Sequence, residues 1–259
     1  TIAQKEAIAD DGGRTSAMVQ AAGVLIDPLL AAQNAPDADP GVPEKAADLL
    51  VHLAGYVEDP AKAEIVTRQV LLPAFAETAP PIDPHDLRIL AADAVALVAD
   101  KLTPERAGQA LASVAGLAVG VRKAWACTDR ATRLAAVEPV AAHEAALVAV
   151  LRAAGATLAR NPPAASKTTG LYLIVDALRE SPDWQDLAVH QVAADAAGAA
   201  RLDAEAASDV VPSLVEALFV DAASLRPWAR RALVRIARSG DAQRDVVVRE
   251  LRRALLVDP

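Results

Sequence analysis

The chain is 259 residues long with a formal net charge of −8, and 53% of it is hydrophobic against only 3% aromatic. Alanine carries most of the hydrophobic share, with leucine and valine behind it, which is the composition of closely packed helices. The charge argues against general affinity for nucleic acid or anionic membranes. The single cysteine, Cys127, excludes an internal disulfide framework or a cysteine-based metal cluster and suits a reducing compartment, so a cytoplasmic location is expected.

One helical body over 1–259 is expected, with an irregular N-terminal part over 1–42. The chain begins at Thr1 without Met or a leader pattern, which reads as a processed chain or an excerpt of a longer one. Thr1 to Asp10 reads as a short helix ended by Asp10-Asp11-Gly12-Gly13. A longer helix follows from Arg14 to Asn34, interrupted at Pro28. Asn34 to Pro43 (NAPDADPGVP) has loop composition.

Helix pairs follow. Pro43 to Val57 and Ala61 to Thr78 are separated by Glu58-Asp59-Pro60, where Asp59 caps and Pro60 takes the first helical position. Pro84 to Lys101 and Glu105 to Ala124 repeat this arrangement around Thr103-Pro104. The offsets of 41 residues from Pro43 to Pro84 and 44 from Pro60 to Pro104 are close to the period of helical repeats. The longest apolar run, Ala110 to Val121, is broken by Ser113, Gly116 and Gly120, and no membrane span is expected. Thr128-Asp129 opens a helical stretch to Arg160 that Pro139 divides or kinks, and Asn161-Pro162-Pro163 ends it. Leu171 to Leu178 is apolar almost all round, which predicts a central helix. Ser181-Pro182 opens the next helix, to about Gly198, and Asp203 opens the approach to the one after. Asp241 caps a final helix ending near Val257.

Val211 to Ala237 is the clearest pair. Val211, Leu214, Val215, Leu218 and Phe219 form one apolar stripe, and Leu225, Trp228, Ala229, Ala232, Leu233, Ile236 and Ala237 a second. Pro212 inside the first helix, Asp221 in the turn, Arg226 opening the second helix and the Ala-Leu-rich second stripe resemble a HEAT repeat, the helical-pair unit of alpha solenoids. The resemblance implies an all-α fold, an α-α superhelix of HEAT-like helical pairs. That family serves scaffolds, adaptors, lyase-type enzymes and a class of DNA glycosylases, so function has to be argued from a site.

Sites of chemistry are sparse. Asp48 and His52, like Asp186 and His190, stand four residues apart on one helical face, which reads as local hydrogen bonding; no Glu-x-x-His or His-Glu-x-x-His accompanies them. His143 and Glu144 point in different directions, and His85 caps or faces water. Cys127 reads as a buried structural thiol. Gly12 to Ser16 and Ser166 to Thr169 lack the spacing of phosphate loops. Of the three tryptophans, Trp184 and Trp228 read as packing residues. Neither a catalytic residue, a cofactor nor a metal is expected.

The arginines near the C-terminus exceed this background. From Arg226 onward nine arginines stand against four acids, a basic pole on an acidic body. Arg231, Arg235 and Arg238 share one side of their helix, and Arg249, Arg252 and Arg253 cluster on the last. Both groups are expected on one binding surface for phosphates or an acidic protein segment. The reading is a non-enzymatic protein-binding scaffold or adaptor whose partner is another protein with an acidic segment. The alternative is a HEAT-like nucleic-acid-binding protein or enzyme, glycosylase-like or lyase-like, using the same arginines; the net charge disfavours nucleic acid.

Overall fold

Helix starts are set by short polar side chains followed by proline. Asp59 Oδ1 accepts from the Ala61 amide at 2.8 Å with Pro60 at the first helical position. Thr103 Oγ1 accepts from the Arg106 amide at 3.3 Å ahead of a helix beginning at Pro104. Each cap satisfies an amide that the helix itself leaves open. The computed structural model describes residues 2–35, 41–76, 85–126, 137–179, 188–219 and 224–257. Eleven helices and no strand occur among them. They are α1 (Ile2–Gln33), α2 (Gly41–Ala54), α3, α4 (Leu87–Val98), α5 (Pro104–Ala126), α6 (Val137–Leu158), α7 (Ala164–Arg179), α8 (Ala188–Ala199), α9 (Ala204–Phe219), α10 (Arg226–Ser239) and α11 (Asp241–Val257). α3 is α-helical over Pro60–Val66, π-helical over Thr67–Leu71 and α-helical again over Leu72–Ala74. The distortion has a local cause: Pro73 has no amide to close on the Gln69 carbonyl, and Gln33 Nε2 of α1 donates to that carbonyl at 3.4 Å.

The fold is all-α, and its packing is an alternation. Even-numbered helices stack in one row, α2 on α4, α4 on α6, α6 on α8 and α8 on α10. Odd-numbered helices stack in a second row, α5 on α7, α7 on α9 and α9 on α11. In the odd row the bonds between helices fix a parallel orientation. Lys167 and Arg179 of α7 bond Asp203 and Ser213 of the α9 region, at nearly constant sequence offsets. Asp27 and Gln33 of α1 likewise meet Lys62 and Gln69, which puts α1 in the odd row. Eleven helices in contiguous neighbour order are compatible with a helical-repeat solenoid.

The even row closes through small side chains. A Cβ added to Gly155 of α6 would stand 2.7 Å from the Ala196 Cα of α8. One added to Gly198 of α8 would stand 2.9 Å from the Ala232 Cα of α10. Ala91, Ala92, Ala153, Ala154, Ala193 and Ala197 of the same row are buried as well. Backbones therefore approach more closely than leucine-lined helices allow.

Ion pairs join successive helices: Arg106–Glu64 at 3.0 Å, Arg152–Asp93 at 3.3 Å, Lys167–Asp203 at 2.6 Å, Arg235–Asp195 at 2.8 Å, and Arg122–Asp176. At the start of α4, Asp86 caps the Arg88 amide and holds the Arg88 guanidinium, which is buried at 5% exposure. The hydrogen bonds from Arg88 hold the Asp86 carboxyl below its ordinary 3.8. Lys167, with the Ala206 amide, does the same for Asp203. Burial pushes Glu64 up, but its bonds from Thr103 and Arg106 together hold it below its ordinary 4.5.

Several expectations change. α1 is one helix through Gly12 and Gly13, because two glycines cost about 1 kcal/mol each of propensity, which weakens a long helix without ending it. Its segment Ser16–Gln33, with mean hydropathy 1.2, is long and apolar enough by length and composition to cross a membrane, where no span is expected from the run at 110–121. α7 is not buried all round: Leu173 and Ile174 are in the core, but Tyr172 is 67% exposed, since an odd-row helix keeps one face outward. α9 begins at Ala204, so Pro212 lies in its interior. Asp241 is the first residue of α11 and pairs with Arg244 at 2.9 Å. Thr128, Asp129, Ser181 and Pro182 fall outside the described residues.

Two tests follow from this packing. Gly155→Ala is expected to lower the melting temperature, since its Cβ meets backbone, while Gly116→Ala, with open space around it, is expected to raise stability by about 0.5–1 kcal/mol. Calorimetry on the two variants reads both signs. The depressed carboxyls of Asp86, Asp203 and Glu64 contribute stability that is complete above their unfolded values and is lost as pH falls through the folded ones. Urea unfolding is therefore expected to give flat stability near neutrality and a decline below about pH 4, which Asp86→Asn shallows.

Candidate basic end surface

The six arginines singled out from the sequence do not form one cluster. Arg231 lies over the ring of Trp228, 5.1 Å from its centroid, within α10. This position shields the ring, whose other parts pack against the core. Arg235 turns to the neighbouring helix, its Nη1 bonded to Asp195 of α8. It belongs to the chain of ion pairs linking helices. Arg238 is exposed near the end of α10, where a cation complements the helix dipole.

The second group does come together. Arg249, Arg252 and Arg253 line one shallow, open depression of about 620 Å³ with Asp245, Val248 and Leu256. All six belong to α11, at positions that wind along its outward side. The opposite side buries Val246 and Val247 against α9 and α10. Glu250 stands at the base, its side chain 12% exposed, receiving Arg249 Nε at 3.1 Å and Arg253 Nη1 at 3.8 Å. One carboxylate thus positions two guanidinium groups and leaves a net positive charge. Arg252 makes no ion pair among the described residues, and Leu256 is 84% exposed. None of Arg231, Arg235 or Arg238 lines the depression.

Sequence reading found the i, i+3, i+4 arginines but missed Val248 and Leu256, which lie at seven-residue spacings from Asp241 and Arg249. Read alone, that apolar row looks like part of a buried stripe. The surface has donors for carboxylates or phosphates and apolar area beside them, and it has no nucleophile or paired acid and base.

Histidine chemistry is not assembled among the described residues, which contain no group of three His, Cys, Asp or Glu placed to hold a metal. Asp48 and His52 are both exposed on α2 and no hydrogen bond joins them, contrary to expectation. His143 and His190 are buried in α6 and α8, and His85 is exposed. Cys127, Trp184 and Asp186 lie outside the described residues.

No protein-family profile and no curated protein sequence matches the chain. A crystal structure of an engineered protein from the Northeast Structural Genomics Consortium is similar, with a TM-score of 0.51 at 19% identity, covering 90% of this chain and 89% of that one. Likeness at that identity speaks for the fold alone.

The two arginine groups are separable by stability. A double-mutant cycle on Arg235→Ala and Asp195→Ala is expected to give a coupling below about 1 kcal/mol, as both side chains are near half exposed. Arg252→Glu is expected to leave unfolding free energy within about 0.5 kcal/mol of the parent.

Proposed function

We propose that the protein is a non-enzymatic scaffold or adaptor, built from HEAT-like helical pairs, that binds another protein through the outward face of α11. The observation that carries this reading is the mixture on that face: Arg249, Arg252 and Arg253 set around exposed Val248 and Leu256. A protein contact uses apolar area for affinity and arginine for orientation, and this face offers the two side by side. The chemistry that fits is an acidic amphipathic helix, its apolar side against Val248 and Leu256 and its carboxylates against the guanidinium groups. A cytoplasmic setting belongs to the same proposal, motivated by the single cysteine.

Fluorescence anisotropy with an acidic amphipathic helical peptide of about 20 residues tests the reading. Saturable binding is expected, weakened at least about tenfold by Arg249→Glu with Arg252→Glu and strengthened at low salt. Binding of a DNA or RNA oligonucleotide in place of the peptide, abolished by the same changes, would move the function to nucleic acid.

A further inference from the structure

The outward face of α9 carries the opposite charge from that of α11, its neighbour in the odd row. Exposed Glu205, Asp209, Glu216 and Phe219 recur along α9 at helical spacing, with Pro212 among them. None of the three carboxylates forms an ion pair among the described residues. The nearby arginines do not turn to them, since Arg249 and Arg253 close on Glu250 of their own helix. Two parallel, adjacent helices thus present an acidic row beside a basic row.

We propose that the acidic segment received by the α11 arginines is α9 of a second copy of this chain, two copies pairing face to face about a two-fold axis. This rests on the reading of α11 as a protein-binding face. A two-fold interface must be self-complementary, and an acidic row beside a basic row satisfies that condition in a way that a single-sign patch cannot. Register supports it. Gln243 Nε2 bonds the Leu202 carbonyl at 2.9 Å, which sets the start of α11 beside the start of α9. Arg249 and Arg253 then lie near the levels of Ser208 and Pro212. An axis lying in the plane of contact and parallel to the helices exchanges the two rows and keeps their direction, so Asp209 meets the partner's Arg249 and Glu216 stands about one turn from the partner's Arg253, each contact occurring twice. α9 from Glu205 to Phe219 is about 22 Å long, and two helices about 10 Å apart give a footprint of only several hundred Å² per copy. That is the range of weak, reversible, salt-sensitive pairing.

Sedimentation velocity on the full chain up to about 200 µM reads the outcome. A dimer is expected at low salt, with its dissociation constant raised more than about tenfold in 0.5 M salt. Asp209→Arg with Glu216→Arg is expected to abolish it, and adding Arg249→Glu with Arg253→Glu to the same chain to restore it. Circular-dichroism melting confirms that each variant is folded. A parent chain that stays monomeric overturns the proposal, as does a dimer indifferent to the first pair of changes or a folded fourfold variant that does not pair. The acidic peptide separates the two readings. A monomer that still binds it through α11 refutes self-pairing and keeps the adaptor, while a swap-dependent dimer that ignores the peptide keeps self-pairing and refutes recruitment of a different protein.

Discussion

Backbone-to-backbone approach in the even row is the constraint on which the other features depend. Gly155 against Ala196 and Gly198 against Ala232 leave no room for a side chain at either glycine. That closeness fixes which helix faces which neighbour and at what height. Once α6, α8 and α10 are held so closely, the odd-row helices lying over them take their places from the connections and from leucine and valine filling the gap between rows, as Leu111, Leu158 and Leu214 do. An alanine-rich composition that gives little hydrophobic area per residue is compensated by contact at short range, where dispersion between well-packed atoms is largest.

The helices themselves were largely legible, because their starts are written locally. Asp59-Pro60 and Thr103-Pro104 cap as read, and the stripe from Leu225 to Ile236 buries as read. What failed was inference about neighbours. Gly12-Gly13 reads as a stop from turn chemistry, but helix continues on both sides of the two glycines. The apolar run in α7 looks central until its row is known to have an outer surface where Tyr172 sits. The buried Arg88 escaped notice because an Asp two residues earlier resembles an ordinary cap, although that Asp is what allows a guanidinium to lie inside.

The candidate site was half legible for the same reason. Arginine spacing on α10 and α11 is a local pattern and was found. Which arginines are already engaged is not local: Arg235 has its acid forty residues away, and nothing in α10 announces Asp195. Charges in this protein divide into those used between helices, where Glu64, Asp93, Asp176, Asp195 and Asp203 each meet a cation, and those left over.

The remainder is not scattered evenly. A helix inside the stack has neighbours on both sides along its row, and its long side chains can find partners there. Among the described residues α11 meets α9 on one side of its row, and its outward positions meet no internal partner there. Solubility alone would favour mixed charge at such positions, and Asp245 with Arg249 would serve. Valine and leucine beside three arginines give this face apolar area next to charge, the mixture on which the proposed contact rests. Acidic residues left unpaired on the next helix supply a chemically matched cover within the same sequence, and the Glu250 clamp on Arg249 and Arg253 keeps their guanidinium groups from collapsing onto α9 first.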